Sequence, residues 1–380
     1  MHACRVLQKL LSPALSVLDA RTVRNLLQAV EACLSGRRLV MMELARHWPG
    51  AIKVAAPLKR LDRLLANPRV HALRVPLYEA IVRWVVRGPT PAVIVDWSEL
   101  KSDGRWLLLR AGVAVGGRTV TLYEEAHPQH HLGAPGVHKA FLARLQRLLP
   151  GDVRPIVVTD AGFKVPWFRE VEALGWHWLG RVRGHVGLRP AGHPLAPFRR
   201  AHELYRKASS KPRALGRYEL TASHGLGCDL VVVRRPRRHR HQRLRRAPER
   251  ARGGREPWLL ACSPTLQRTP AQLARAYALR MQIESSFRDL KSHRYGCAFE
   301  DTQTRSAARL EMLLLIHMLA TLLAWLAALA TRGSHETRFR MSLLRRGWEY
   351  LRESRSRFRL SPLPALGLLA HTIRIASEGT

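Results

Sequence analysis

Four polar side chains stand at fixed steps in one helix-length stretch of the chain: Tyr277, Arg280, Glu284 and Lys291. Steps of three, four and seven put them on one face of an α-helix, about 20 Å from first to last at 1.5 Å per residue. A carboxylate set among a phenol and two cations on one stripe suits a metal ion beside nucleic-acid phosphates. An ordinary amphipathic helix with a charged outer face has the same spacing. The stretch therefore gains meaning only from acids elsewhere in the chain.

Two such acids end matched strands. Pro91-Ala92-Val93-Ile94-Val95-Asp96 is a β-branched run that closes on a carboxylate, and Pro155-Ile156-Val157-Val158-Thr159-Asp160 repeats the pattern. In a mixed sheet the ends of neighbouring central strands converge, and sites form there. A lone Asp at a strand end reads equally well as a cap or loop residue. Asp103, Asp152 and Asp301 fit loops and turns, and Glu99 follows the first strand with room to face solvent. The informative feature is the order: two strand-ending aspartates, then Glu284 in a basic helix. Three converging carboxylates cannot all stay ionised without a counter-charge. A divalent ion with oxygen ligands is the natural one, and two such ions suit phosphodiester chemistry.

The elements around these residues follow from their patterns. Residues 1–88 read as helical throughout, with apolar residues at Val23, Leu26, Leu27, Val30 and Leu34 and a stop at Ser35-Gly36. A short helix over Leu39–His47 ends at Trp48-Pro49-Gly50, and a third covers Pro57–Leu65 with Lys59, Arg60 and Arg63 along it. Short helix, turn, basic helix is the outline of a helix-turn-helix DNA reader. From residue 90 the texture turns to strands: 91–96, then 105–115 and 118–126 joined at Gly116-Gly117, a hairpin signal. A helix over 137–149, a strand at 155–160, a helix at 167–174 and a strand at 177–182 follow. This is the order of an RNase H-like mixed sheet, an α/β fold. Short strands at 218–221, 229–233 and 258–262 come next. Between the last two, Arg234–Arg255 holds eleven arginines against one glutamate, which reads as a flexible arm for DNA phosphates. Thr269-Pro270 opens the helix that carries the first motif, expected to run unbroken to His293.

Net charge decides the class of partner. Sixty-four Lys and Arg against 28 Asp and Glu leave +36 on 380 residues. So large an excess calls for a polyanion, nucleic acid before an anionic membrane. Arginine predominates over lysine, as planar phosphate contacts favour, although a genome rich in G and C gives the same bias. Five scattered cysteines without a C-x-x-C pair argue against a disulfide framework or zinc ribbon and fit a reducing cytosol. No secretory signal stands out, because Pro13 breaks the apolar start and Asp19 and Arg21 follow. The apolar stretch 310–330 is long enough for a membrane span, yet Glu311 and His317 within it favour a buried core helix.

Together, Ile94-Val95-Asp96-Trp97-Ser98, Val157-Val158-Thr159-Asp160-Ala161-Gly162-Phe163 and Tyr277-x2-Arg280-x3-Glu284-x6-Lys291 resemble the DDE transposases of the insertion-sequence-four family. The last segment matches the family signature at every defined position, and the likeness runs from about residue 20 to 331. It implies an RNase H-like core with a helical N-terminal domain, a β-rich insertion before the glutamate helix and a helical tail. The corresponding bounds are 1–88 (helical DNA-binding), 89–184 (catalytic core, first part), 185–267 (β-rich, Arg-rich insertion), 268–332 (catalytic core, second part) and 333–380 (basic tail, a possible dimerisation segment).

The same resemblance implies that Asp96, Asp160 and Glu284 form a catalytic, metal-binding triad for magnesium (Mg2+, two ions, with Mn2+ able to substitute). Tyr277, Arg280 and Lys291 would contact phosphates near a transposon end, and Trp258 is the candidate for stacking a flipped base. Lys59, Arg60 and Arg63 join them as DNA-binding residues. The implied activity is cleavage and strand transfer at insertion-sequence ends, in several members through a hairpin. The implied partners are transposon-end and target DNA and a second copy of the chain, with no membrane, in a bacterial cytoplasm at the nucleoid. Three alternatives remain open: an inactive, domesticated DNA-binding relative, a nuclease of the same fold without strand transfer, and a basic membrane-associated protein anchored by 310–330.

Overall fold

The structure is a computed structural model that describes residues 2–50, 53–235, 256–331, 341–353 and 362–378. The arginine run, apart from Arg234 and Arg235, lies outside the described residues.

The chain opens with seven helices: α1 (His2–Leu10), α2 (Ser12–Leu15), α3 (Ala20–Gly36), α4 (Met41–Arg46), α5 (Ala55–Ala66), α6 (Pro68–Ala72) and α7 (Arg74–Val85). Local chemistry sets their ends. Asp19 caps α3 by accepting from the Thr22 N–H at 2.9 Å, and Asn67 caps α6 ahead of Pro68. The short α4 precedes α5, on which Lys59, Arg60 and Arg63 are exposed.

One ten-stranded sheet follows. Its strands are β1 (Ala92–Glu99), β2 (Trp106–Val115), β3 (Arg118–Pro128), β4 (Ile156–Thr159), β5 (His177–Val182), β6 (Gly187–Pro190), β7 (Arg199–Arg200), β8 (Arg213–Leu220), β9 (Leu226–Val233) and β10 (Trp258–Cys262). Their order in the sheet is β3-β2-β1-β4-β5-β10-β9-β8-β6-β7. β1, β2 and β3 form an antiparallel meander, while β4 lies parallel to both β1 and β5. The turn between β2 and β3 is made by Gly116 and Gly117 with φ of 51° and 85°, the left-handed pair that a two-residue hairpin requires. Helices α8 (Pro135–Leu148) and α9 (Val165–Ala173) supply the crossovers to β4 and β5.

The insertion strands extend the core sheet: β10 pairs with β5 and carries it on through β9 and β8. The signature helix runs as α10 (Pro270–Leu279) and α11 (Met281–Lys291), with Arg280 between them keeping helical φ and ψ of −53° and −34°. Thr269 caps α10 through a capping box with Gln272, as the Thr-Pro start implies.

Helix α12 (Ala307–Ala330) is long and apolar enough to cross a membrane. It is buried on almost every side, from Leu310 to Leu329. The N-terminal helices α1, α3 and α5, strand β3, and the C-terminal helices α13 (Leu343–Glu353) and α14 (Pro362–Glu378) pack around it. At Gly347 the crossing of α13 is so close that a methyl group would stand 1.8 Å from the Ala324 carbonyl oxygen. All five cysteines are buried and unpaired in disulfides.

Charged groups also lie in the core. Arg110 and Glu124 face each other across β2 and β3. The Arg110 Nε donates to Glu124 at 2.7 Å, the Tyr78 hydroxyl donates to the other carboxylate oxygen at 2.9 Å, and Arg74 caps the Glu124 carbonyl at 2.8 Å. Removing one member of so buried a pair strands the other. Glu124→Ala is expected to cost about 3–5 kcal/mol in urea unfolding. The exposed i,i+4 pair Glu79–Arg83, broken in the same way, should cost less than about 1 kcal/mol.

Candidate active site

The parallel pairing of β1 with β4 brings the two aspartates together. Ala92, Val93 and Ile94 stand opposite Ile156, Val157 and Val158. The same register carried two residues further sets Asp160 beside Asp96. Asp96 is buried; one of its oxygens accepts from the Trp97 N–H at 2.9 Å. Asp160 follows the last residue of β4 and accepts from the Gly162 N–H at 2.7 Å. A methyl group at position 162 would lie 2.9 Å from the same Asp160 oxygen. The glycine thus leaves that carboxylate its place.

Glu284 reaches this edge from α11, and Arg280 joins the acids. One Arg280 nitrogen donates to Asp96 at 2.9 Å and the other to Glu284. Because α10 ends at Leu279 and α11 starts at Met281, Arg280 occupies the joint, from which its side chain reaches back to β1. Burial raises the Asp96 carboxyl to about 7; Arg280 opposes this, while Asp160 and Glu284 push it further up. Burial works against the Arg280 charge, but Asp96, Tyr277, Glu284 and Asp160 together hold it protonated more firmly than usual.

Asp96, Asp160 and Glu284 line one open pocket of about 570 Å³ with Arg280, Arg288 and Lys291. Lys291 donates to the Ser98 hydroxyl at 2.9 Å, and burial lowers its pKa. Trp97, next to Asp96, donates through Nε1 to His138 Nε2 at 3.1 Å. Burial drops the His138 pKa to about 4, so the ring is neutral and able to accept.

The remaining sequence-predicted residues lie elsewhere. Tyr277 is buried and outside the pocket, its ring 4.8 Å from Trp258 in an edge-on contact. Trp258 also lies outside it, with the Arg235 guanidinium 4.6 Å over its ring. Lys59 and Arg63 line a groove between α5 and the 302–305 loop, apart from the carboxylates. Arg288 and Ser98 are pocket residues that the sequence reading passed over. Arg288 was findable, four residues beyond Glu284 on the same helical face; Ser98 had no signal beyond its place next to the first strand.

The donor set suits a hard cation. Asp96 and Asp160 share one edge, and the guanidinium of Arg280 supplies the positive charge that crowded carboxylates require. Among the described residues, no three His, Cys, Asp or Glu side chains are gathered closely enough to hold one ion. Magnesium needs only one or two carboxylates, with water and phosphate completing its shell, so the aspartate pair fits it. Glu284, the third carboxylate of the pocket, is held by Arg280.

Residues 88–323 match the family model described as the transposase DDE domain. No curated protein matches the chain. Among solved structures, it is similar to the piggyBac transposase in a cryo-EM synaptic complex with hairpin DNA. The two are 10% identical over 99% of this chain and 79% of that one, with a TM-score of 0.40.

A protonated Asp96 must lose its proton before it can ligate a cation. Magnesium binding followed by calorimetry in buffers of different ionisation enthalpy should therefore release close to one proton well below pH 7. The affinity should rise as the pH passes through about 7, and Asp96→Asn should abolish the proton release.

Proposed function

Because the chain belongs to the transposase DDE domain family, we propose that it is a metal-dependent DNA transposase of the insertion-sequence-four type, cutting at insertion-sequence ends and joining them to target DNA. The observation that carries this reading is the meeting of Asp96, Asp160 and Glu284 with Arg280 and Lys291 in one open pocket. The RNase H-like order of β1 to β5 is consistent with it.

In this reading the three carboxylates hold magnesium, as two ions that manganese can replace. Bound there, the metal would activate the attacking oxygen and offset charge on the leaving one. The chain's own residues do the positioning. Asp96 and Asp160 are held by sheet register, so their oxygens need no reorganisation when DNA arrives. Arg280 offers a planar fork to a phosphate, and shifting it from the acids frees Glu284. Lys291, fixed by Ser98, faces the same pocket as a second cation. Trp97, clamped by His138, keeps the end of β1 from moving. Tyr277 serves by packing against Trp258 beneath Arg280 rather than by touching DNA. Lys59, Arg60 and Arg63 on α5 provide a separate contact to duplex DNA. Two chains pair two DNA ends, and the protein works at the bacterial nucleoid in the cytoplasm.

Asp96→Ala, Asp160→Ala and Glu284→Ala should each lower metal-dependent cleavage of an end-containing duplex by on the order of 10³ or more, the loss of several kcal/mol of charge stabilisation. Gel-shift binding of the same duplex should persist. Wild-type cleavage in any of the three removes that residue from the triad, and cutting without integration into a target plasmid makes the chain a nuclease.

If α5 lies on phosphates, Lys59→Ala, Arg60→Ala and Arg63→Ala should each weaken binding across sequences. Each should also reduce the slope of log K against log salt by about 1.

A further inference from the structure

We propose that a second ligand site lies behind α11, in a cavity of about 490 Å³ that takes a nucleoside phosphate. Its walls come from the β2–β3 hairpin, the back of α11, and helices α12 and α13, with Arg37 from the end of α3. None of the three acids of the candidate active site lines it; Arg288 alone borders both. The inference does not rest on the cleavage reading.

Charge argues for an anion. Five arginines line the cavity with one carboxylate, Asp289. Arg118 takes Asp289 and Arg110 takes Glu124. Among the described residues, Glu349 serves three guanidinium groups: Arg37 at 3.0 Å, Arg352 at 3.0 Å and Arg345 at 3.7 Å. Arg37, Arg288 and Arg345 line the cavity beyond the two arginines neutralised by Asp289 and Glu124. A phosphate there would offset the surplus charge.

Shape argues for a small molecule carrying a ring. The volume falls within the range of small-ligand pockets. Trp348, Tyr295 and Leu344 offer flat and apolar wall, and the Arg37 guanidinium lies 5.9 Å over the Trp348 ring. A base can lie against that surface with its phosphate toward Arg37 and Arg345. Ser286 and Asp289 face the cavity from the helix whose other side carries Glu284, so an occupant would bear directly on the position of α11.

The test is calorimetric titration of the DNA-free full-length chain with AMP, ATP and inorganic phosphate at physiological salt. The nucleotides should bind with a dissociation constant below about 1 mM, and more tightly than inorganic phosphate. The double variant Arg37→Gln/Arg345→Gln should bind at least about tenfold more weakly. Ser342→Asp provides a milder change: Ser342 Oγ accepts from the Arg345 N–H at 3.3 Å and caps α13, and aspartate retains a cap while adding a carboxylate to the wall. It too should weaken binding at least about tenfold, and it carries the test if the double variant fails to fold. Arg199→Gln/Arg200→Gln, on exposed β7, removes the same charge elsewhere and should leave affinity within about twofold. Absence of nucleotide binding, phosphate bound as tightly as nucleotide, or equal losses in both double variants would overturn the proposal.

Discussion

The candidate site is organised by the repulsion among carboxylates gathered at one sheet edge. Burial and two acidic neighbours make ionisation of Asp96 difficult, and a cation within reach is the remedy. Arg280 meets that need in the chain by itself. It does so from the position between α10 and α11, where the helical hydrogen bonds shorten to i→i−3. A cation already seated on Asp96 and Glu284 lets the acids stay close.

Beneath α11 the sheet repeats the same logic in a drier setting. Asp96 is paired with Arg110 across β1 and β2, and Arg110 with Glu124 across β2 and β3. Acid, base and acid therefore form one row across three strands, with the Phe287 ring of α11 5.3 Å from the Arg110 guanidinium. The ion pair in that row is Arg110–Glu124; buried pairs add little net stability but penalise any arrangement that separates their members. The pair holds β2 to β3, the hairpin on which α11 rests through Thr119 and Ser286 at 2.8 Å.

Much of this was legible from residue types. The runs 91–96 and 155–160 could only be buried strands, and their matching acids pointed to one edge. Gly116-Gly117 announced the hairpin, and Thr269-Pro270 the start of α10. What escaped depended on contacts between distant segments. Periodicity continues across Arg280, and only the fold shows its side chain reaching back to Asp96. Tyr277 looked like a surface residue by its spacing and is buried because Trp258 arrives beside it from β10. Arg110 and Glu124 sit inside apolar strand patterns, and only the register of β2 with β3 reveals them as partners. Strands β6 and β7 are too short, with Pro190 in one and two exposed arginines in the other, to leave a pattern.

The wrapping of α12 by helices from both ends of the chain has a bearing on synthesis. Arg37 and Glu349, which clasp each other across that bundle, are 312 residues apart. At ribosomal speeds of about 5–20 residues per second, the N-terminal helices wait roughly 15–60 s for their last partners. During that interval the most apolar helix of the protein emerges with part of its cover still untranslated. A message cut short just after α12 would yield a chain able to form the sheet yet carrying a long apolar helix with only its N-terminal cover, a product that aggregates or is degraded rather than one that competes with the intact protein.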